Sequence, residues 1–192
     1  LGVRSAVDLG QQANLLMDIG GGSIEFIIGN SREILWMQSF EIGAQRLLEQ
    51  FHHHDPILPN EITQLNKHLT AQLAPLMVQL EKYQPRILVG ASGSFDTLSE
   101  MFAIQEGLNW QSTFPEGPLT WAGFERIFQF LITKDRSERM QLPGMIEMRV
   151  DMIVVACCVI KFLITQHPFD KVKVSTYSLK EGVLAELAGA RV

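Results

Sequence analysis

Between Asp18 and Glu25 the chain reads Asp-Ile-Gly-Gly-Gly-Ser-Ile-Glu, two carboxylates and a hydroxyl set around three consecutive glycines. Glycine serves where the backbone must adopt conformations closed to other residues or where a ligand must approach closely. Successive N–H groups in such a turn can point into one concavity and hold an oxyanion, and Ser23 adds a hydroxyl donor. Phosphate suits that donor set better than sulfate or a carboxylate. Asp18 and Glu25 would repel a phosphate unless a cation intervened. The pattern therefore implies a divalent ion, Mg²⁺ or another, with Asp18 and Glu25 as its protein ligands. The bland alternative is a tight hairpin with Asp18 as a turn residue. A bare glycine triplet would favour the hairpin; the full string between two apolar segments favours the anion site.

These residues need strands to position them. "NLLMD" before the glycines is a short apolar run ended by a turn signal, and "SIEFIIG" after them is a second. With a period of two, Ser23 and Glu25 leave one face of the second strand, opposite Ile24, Phe26 and Ile28. "REILWMQSFEIG" reads as a third strand, with Ile34, Trp36 and Gln38 on one face and Leu35, Met37 and Ser39 on the other. Helical spacing follows in "AQRLLEQF". It recurs over Pro59–Tyr83, with Pro59 suited to the start and Pro75 expected to kink the helix. "RILVG" is a buried strand that turns through "ASGS" into a helix. "NWQSTFPEGP" is a loop. A helix capped by Thr120, the polar linker "DRSERMQLPG" and a long buried helix over residues 146–167 come next. The strand "KVKVST" and the helix "LKEGVLAELAG" close the chain.

A meander followed by crossover units predicts an α/β domain with a mixed five-stranded sheet and helices on both faces. That order matches the ribonuclease-H-like module of the actin-like ATPase superfamily, which includes actin, sugar kinases and the Hsp70 ATPase. Those proteins close a ligand cleft between two such modules, and residues 1–192 supply one.

Composition narrows the function. A net charge of −5, from 16 basic and 21 acidic residues, is not that of a nucleic-acid-coating surface. The apolar run around the adjacent Cys157 and Cys158 is too short to cross a bilayer. The two thiols read as small buried side chains in a reducing compartment. No signal peptide is visible, so the cytoplasm is the expected location. The opening at Leu1, without methionine, points to a piece of something longer. The "HHHD" run at residues 52–55 lacks metal-ligand spacing and reads as a solvated turn. Arg46, Arg139 and Arg149 are candidates to reach a polyanion with their forked donors. Salt bridging or capping is the alternative for Arg139 and Arg149, the latter beside Asp151. The string Gly90-Ala-Ser92-Gly93-Ser94 is a poor match to a nucleophile elbow and a better match to a strand-to-helix turn offering N–H donors.

"LMDIGGGSIEFIIG" resembles the second phosphate loop of the exopolyphosphatase/guanosine pentaphosphate phosphohydrolase family. "MQSFEIGAQRLLEQF", with Gly43 and Arg46, is similar to its third strand and following helix. "ILVGASGSFDTL", "ERMQLPGMIEMRVDMI" and "VSTYSLKEGVLAEL" resemble its later segments in the same order, so the likeness spans nearly the whole chain. The resemblance implies metal-dependent hydrolysis of terminal phosphoanhydrides in polyphosphate or guanosine pentaphosphate. Asp18, Gly20, Gly21, Gly22, Ser23 and Glu25 would face phosphate and Mg²⁺. Gly90, Ser92, Gly93 and Ser94 would form the loop where relatives hold a nucleoside. Ile24 stands where the family usually has threonine, and its core-facing side chain is expected to matter little. "LGVRSAV" resembles the stretch after the family's acidic Ser-Gly-x-Glu element. The resemblance thus places the catalytic base upstream of Leu1 and makes this chain the C-terminal lobe of a two-lobed unit, inactive alone. Its expected partners are the polyanion and the other lobe, with no membrane and no nucleic acid, and a homodimer is left open. Two rivals use the same loop physics: an ATP-dependent phosphotransferase or ATPase of this superfamily, and a non-catalytic sensor of polyphosphate or an alarmone.

Overall fold

A computed structural model of the chain describes residues 9–176. Strands β1 (Asn14–Ile19), β2 (Ile24–Gly29) and β3 (Ile34–Phe40) form an antiparallel meander. Strand β1 also pairs in parallel with β4 (Ile87–Ala91), and β4 pairs in parallel with β6 (Lys171–Ser175). The sheet is mixed, in the order β3-β2-β1-β4-β6-β5. Its sixth strand, β5 (Glu116–Gly117), adds antiparallel to β6 within the segment whose sequence reads as a loop. Two residues carry no hydrophobic period, so nothing in the pattern announces them.

Between the strands lie α1 (Ala44–Phe51), α2 (Pro59–Gln72), α3 (Ala74–Tyr83), α4 (Gly93–Gln105), α5 (Trp121–Thr133), the single turn α6 (Arg136–Arg139) and α7 (Met152–Gln166). Leu15, Met17, Ile19, Ile24, Phe26 and Ile28 point from the meander into one large apolar cluster. The stripes of the longer helices, such as Leu65, Leu69, Phe95, Leu98 and Phe124, complete it. Each such side chain contributes about 1.5–3 kcal/mol on full burial. The opposite face carries a smaller cluster of Leu9, Leu16, Val89 and Ala91. The closing helix expected at "LKEGVLAELAG" lies outside the described residues. Among the described residues, no helix is long and apolar enough to cross a membrane. Cys157 and Cys158 are buried and unbridged, and burial pushes both thiols up, Cys158 to about 12.

Several helix boundaries differ from the periodicity. The helix over Pro59–Tyr83 breaks at Leu73, because Pro75 opens a second helix rather than bending the first. The long buried helix begins at Met152, since residues 147–151 form turns. Within the polar linker, Asp135 and Glu138 form a capping box that supports α6. Thr120 caps α5 as expected, accepting from the Gly123 amide at 3.0 Å.

The linker arginine is the largest correction. Arg139 has no exposed surface. Its guanidinium bonds Asp55 at 2.5 Å, the Lys134 carbonyl at 2.7 Å, the Val150 carbonyl at 3.1 Å and Asp151 at 3.3 Å. A phosphate role for Arg139 is thereby replaced by an internal one, because its donors are spent where no ligand reaches. The histidine run is also more than a solvated turn. The His52 side chain is only 4% exposed, beside Asp55. The Glu61 carboxylate is buried and accepts from the Leu58 and His53 amides and the His54 ring.

Burial, and then the Arg139 charge, hold His52 below the ordinary histidine value of 6.5. The unfolded chain therefore binds that proton first, so this contribution is complete above about pH 6.5 and is lost as pH falls toward the folded pKa. For Glu61, burial raises the pKa, but the bonds from Leu58, His54 and His53 outweigh it and bring it to about 2. Its contribution is present above about pH 4.5 and fades toward the folded value. We expect the melting temperature to decline in two stages as a series of buffers is taken from pH 8 to pH 3. His52→Gln should flatten the upper stage only; an unchanged upper slope in that variant would refute the assignment.

Candidate phosphate-binding site

The glycine turn is oriented by the helix that follows the meander. The first amides of an α-helix lack intrahelical partners. Here they find the loop: Ala44 N donates to Gly20 O at 2.8 Å, Gln45 N to Gly21 O at 3.0 Å and Gly43 N to Gly22 O at 3.2 Å. In a trans peptide the N–H lies opposite the C=O, and the only cis bond among the described residues is Asp55–Pro56. Three carbonyls turned onto α1 therefore turn the Gly21, Gly22 and Ser23 amides away from it. Among the described residues, no main-chain carbonyl accepts from those three amides, whereas Gly20 N is spent on Ser23 O at 2.9 Å. The glycines owe nothing to left-handed backbone, since none of Gly20, Gly21 and Gly22 has positive φ. Close approach applies at Gly20, where a β-carbon would lie 3.0 Å from Ser23 O, and is sharpest at Gly43. A β-carbon there would lie 2.4 Å from Gly21 C, Gly21 O and Gly22 C.

The carboxylates stand beside the turn in one row across the sheet. Asp18 is the direct partner of Glu25, Glu25 of Ser39, and Asp18 of Ala91 on the other side. Direct partners share a face, so Ser39, Glu25 and Asp18 line up on the face opposite Ile24, Phe26 and Ile28. Oε1 of Glu25 accepts from Ser23 Oγ at 2.5 Å and from Ser39 Oγ at 2.8 Å. Both hydroxyls hold the same oxygen, which fixes the rotamer and leaves Oε2 to other partners. Among the described residues, no group of three or more His, Cys, Asp or Glu has metal-holding geometry. Two carboxylates suit Mg²⁺, which keeps much of its water and shares substrate phosphate oxygens rather than needing a full protein cage.

The next turn belongs to the same edge. Since Asp18 pairs with Ala91 on parallel strands, the β4–α4 turn starts beside the glycine loop, at the carboxyl ends of the strands where α/β sheets place ligands. Ser92 takes φ +70° there and Gly93 opens α4. A β-carbon on Gly93 would fall 2.0 Å from Nη2 and 2.3 Å from Cζ of Arg149, so the half-buried guanidinium lies directly on this backbone. No carboxylate or carbonyl among the described residues accepts from the Arg149 side chain. Its pairing with Asp151, the alternative at the sequence level, does not form; Asp151 bonds Arg136 and Arg139 instead.

Other sequence candidates are placed differently. Nε of Arg46 donates to Gly22 O at 2.9 Å, so Arg46 braces the loop on its carbonyl side rather than facing an anion. Ser94 is 1% exposed and points into the core, and Gly90 lies under the Phe95 ring. Of that string, Ser92 and Gly93 are the ones at the surface. Sequence reasoning leaves Ser39 unused: period two gives its face on the third strand, but its pairing with Glu25 depends on register. Arg149 is among the sequence candidates, with a local pair to Asp151 as the alternative.

A sequence profile described as the Ppx/GppA phosphatase family matches residues 1–190. Exopolyphosphatase 2 of Mycobacterium tuberculosis is 28% identical over 183 residues, covering 91% of this chain and 56% of that protein. The crystal structure of an exopolyphosphatase from Cytophaga hutchinsonii is 43% identical, with a TM-score of 0.93, and covers 99% of this chain and 62% of that one. The Aquifex aeolicus Ppx/GppA phosphatase, at 23% identity and a TM-score of 0.82, shares the fold. The chain thus spans little more than half the length of the proteins it matches.

The loop geometry predicts a contrast between two alanine substitutions. Gly43→Ala must displace the glycine turn and should cost about 1–3 kcal/mol. Gly22→Ala, where a β-carbon meets nothing within 4 Å, should change stability by less than about 0.5 kcal/mol. Urea denaturation of both variants checks this, and equal losses would contradict the packing of α1 on the loop.

Proposed function

The chain belongs to the Ppx/GppA phosphatase family, and from that premise we propose that it is the second lobe of a two-lobed hydrolase acting on terminal phosphoanhydride bonds. The observation that carries this reading is the trio of outward amides at Gly21, Gly22 and Ser23 beside the Asp18–Glu25 pair. A terminal phosphate resting on those amides places its oxygens against fixed dipoles that need no reorganisation during reaction. Asp18 and Glu25 are the residues that would hold Mg²⁺, which when bound screens the phosphate from the two carboxylates. The Ser23 and Ser39 hydroxyls keep Glu25 in place. Arg149, on the adjoining Gly93 turn, supplies a cation for the next anionic group of the substrate. Water activation is assigned to a carboxylate outside this chain, as the family resemblance implies. Catalysis is then mainly positioning and electrostatics, as phosphoryl transfer demands.

Polyphosphate is the favoured substrate over guanosine pentaphosphate, because the similar proteins are named exopolyphosphatases. The carboxylate pair beside the amides favours an enzyme over a silent sensor of the same anion. Nothing in the site favours an ATP-dependent phosphotransferase.

The test is phosphate release by the full-length protein from polyphosphate and from guanosine pentaphosphate, with and without Mg²⁺. Turnover should need the metal, and Asp18→Asn should lower kcat about 10²-fold. The 192-residue chain alone should bind polyphosphate weakly and hydrolyse it negligibly. Robust turnover by the isolated chain would overturn the assignment as one lobe.

A further inference from the structure

Among the described residues Arg149 has no ionic partner of its own, yet the residues around it are tied down. Glu147 accepts from Arg136 at 3.4 Å, and Asp151 accepts from Arg136 Nε at 3.2 Å. The Val150 carbonyl and the other Asp151 oxygen accept from Arg139 at 3.1 Å and 3.3 Å. Both arginines are anchored in turn on Asp55, whose oxygens accept from Arg139 at 2.5 Å and from the Arg136 amide at 2.6 Å. Asp151 stands at the N-cap of α7 but makes no side-chain cap bond; its carboxylate is given to the arginines. Apolar burial does little to hold this segment, since Ile146 and Met148 are 49% and 72% exposed, though Val150 is buried. The tethers are polar, and they bracket Arg149, whose side chain lies on the Gly93 turn.

We propose that Arg136 and Arg139 are positioning residues: as a clamp anchored on Asp55, they fix residues 147–151 and hold the Arg149 guanidinium over the β4–α4 turn, ready for a substrate phosphate. The inference rests on the reading of that turn as part of the anion site. Its physical logic is pre-organisation. An arginine side chain carries large rotamer freedom, and fixing it before binding removes that cost from the complex. The clamp also explains why a guanidinium is buried at Arg139 rather than replaced by an apolar side chain, since its fork reaches Asp55, Asp151 and two carbonyls at once.

The experiment is a double-mutant cycle on the full-length protein, with tripolyphosphate as the probe and its Kd read by calorimetry, alongside melting temperatures. Arg149→Gln should weaken binding about tenfold or more. Arg136→Gln removes only partly exposed pairs, so its melting temperature should stay near wild type, yet binding should weaken several-fold. In the Arg149→Gln background the same substitution should have no further effect. Arg139→Lys, which keeps the charge but loses the fork, should show the same coupled loss, and if that variant does not fold, Arg136→Gln decides. An Arg136→Gln effect that is absent, or equally large in both backgrounds, overturns the clamp while leaving the anion site standing. Wild-type binding with Arg149→Gln unchanged overturns the reading of the Gly93 turn and the clamp with it. Failure of the wild-type protein to bind tripolyphosphate overturns the phosphate reading itself.

Discussion

The three hydrogen bonds from the start of α1 to the carbonyls of Gly20, Gly21 and Gly22 set the polarity of the site. A helix start must satisfy its orphan amides, and a side-chain cap is the common means. Here the N-cap is Gly43, which has no side chain to cap with, and the glycine loop serves instead. One constraint thus has two consequences. Three of the helix's first amides find acceptors, and the loop, because each peptide is a rigid trans plane, presents its own amides on the far side. An anion site arises as the mirror of a helix cap. The same contact explains the glycine at position 43, since a β-carbon there would lie 2.4 Å from the backbone of Gly21 and Gly22. Arg46 reinforces it by adding a charged donor to the Gly22 carbonyl.

Sheet register does the rest. Antiparallel pairing puts Asp18 opposite Glu25 and Glu25 opposite Ser39, so groups distant in sequence become one polar row on one face. Parallel pairing of β1 with β4 then sets the Ser92–Gly93 turn beside the glycine loop at the carboxyl ends of adjacent strands. A slip of one residue in β2 would send Glu25 into the core and Phe26 to the face of the row. Packing of Ile24, Phe26 and Ile28, all fully buried, therefore guards the chemistry as well as the fold.

Much of this was legible in the sequence because it depends on local period. The alternation in "SIEFIIG" states which face Glu25 must take, and the apolar flanks of the glycines state that two strands meet there. The order of elements gave the mixed sheet. What stayed hidden depends on contacts between distant segments. Ser39 gains meaning only through its register with Glu25, and β5 is too short to carry a period. The helical period from residue 146 overruns the helix itself, and in that stretch the Glu147 and Asp151 side chains serve Arg136 and Arg139. His52 looked solvated within "HHHD", but the connection it belongs to folds against Arg139, and a run of histidines does not say which one turns inward.

The two arginines around the Leu-Pro-Gly segment show how far pattern alone can go. On the sequence, Arg139 and Arg149 are equivalent candidates: each is a cation in a polar stretch with an acidic residue near. Tertiary structure divides them by neighbours that are distant in the chain. Asp55, from the connection between α1 and α2, is itself partly exposed and gives the fully buried Arg139 a counter-charge. Asp151, the apparent local partner of Arg149, is captured by the same cluster. Arg149 is left with glycine backbone beneath its guanidinium and, among the described residues, no acid paired with it. A buried cation with several acceptors is a structural element, because removing one partner strands the other. A half-buried cation with no carboxylate or carbonyl acceptor among the described residues, beside outward amides and at the carboxyl ends of the strands, is placed for the anion proposed above.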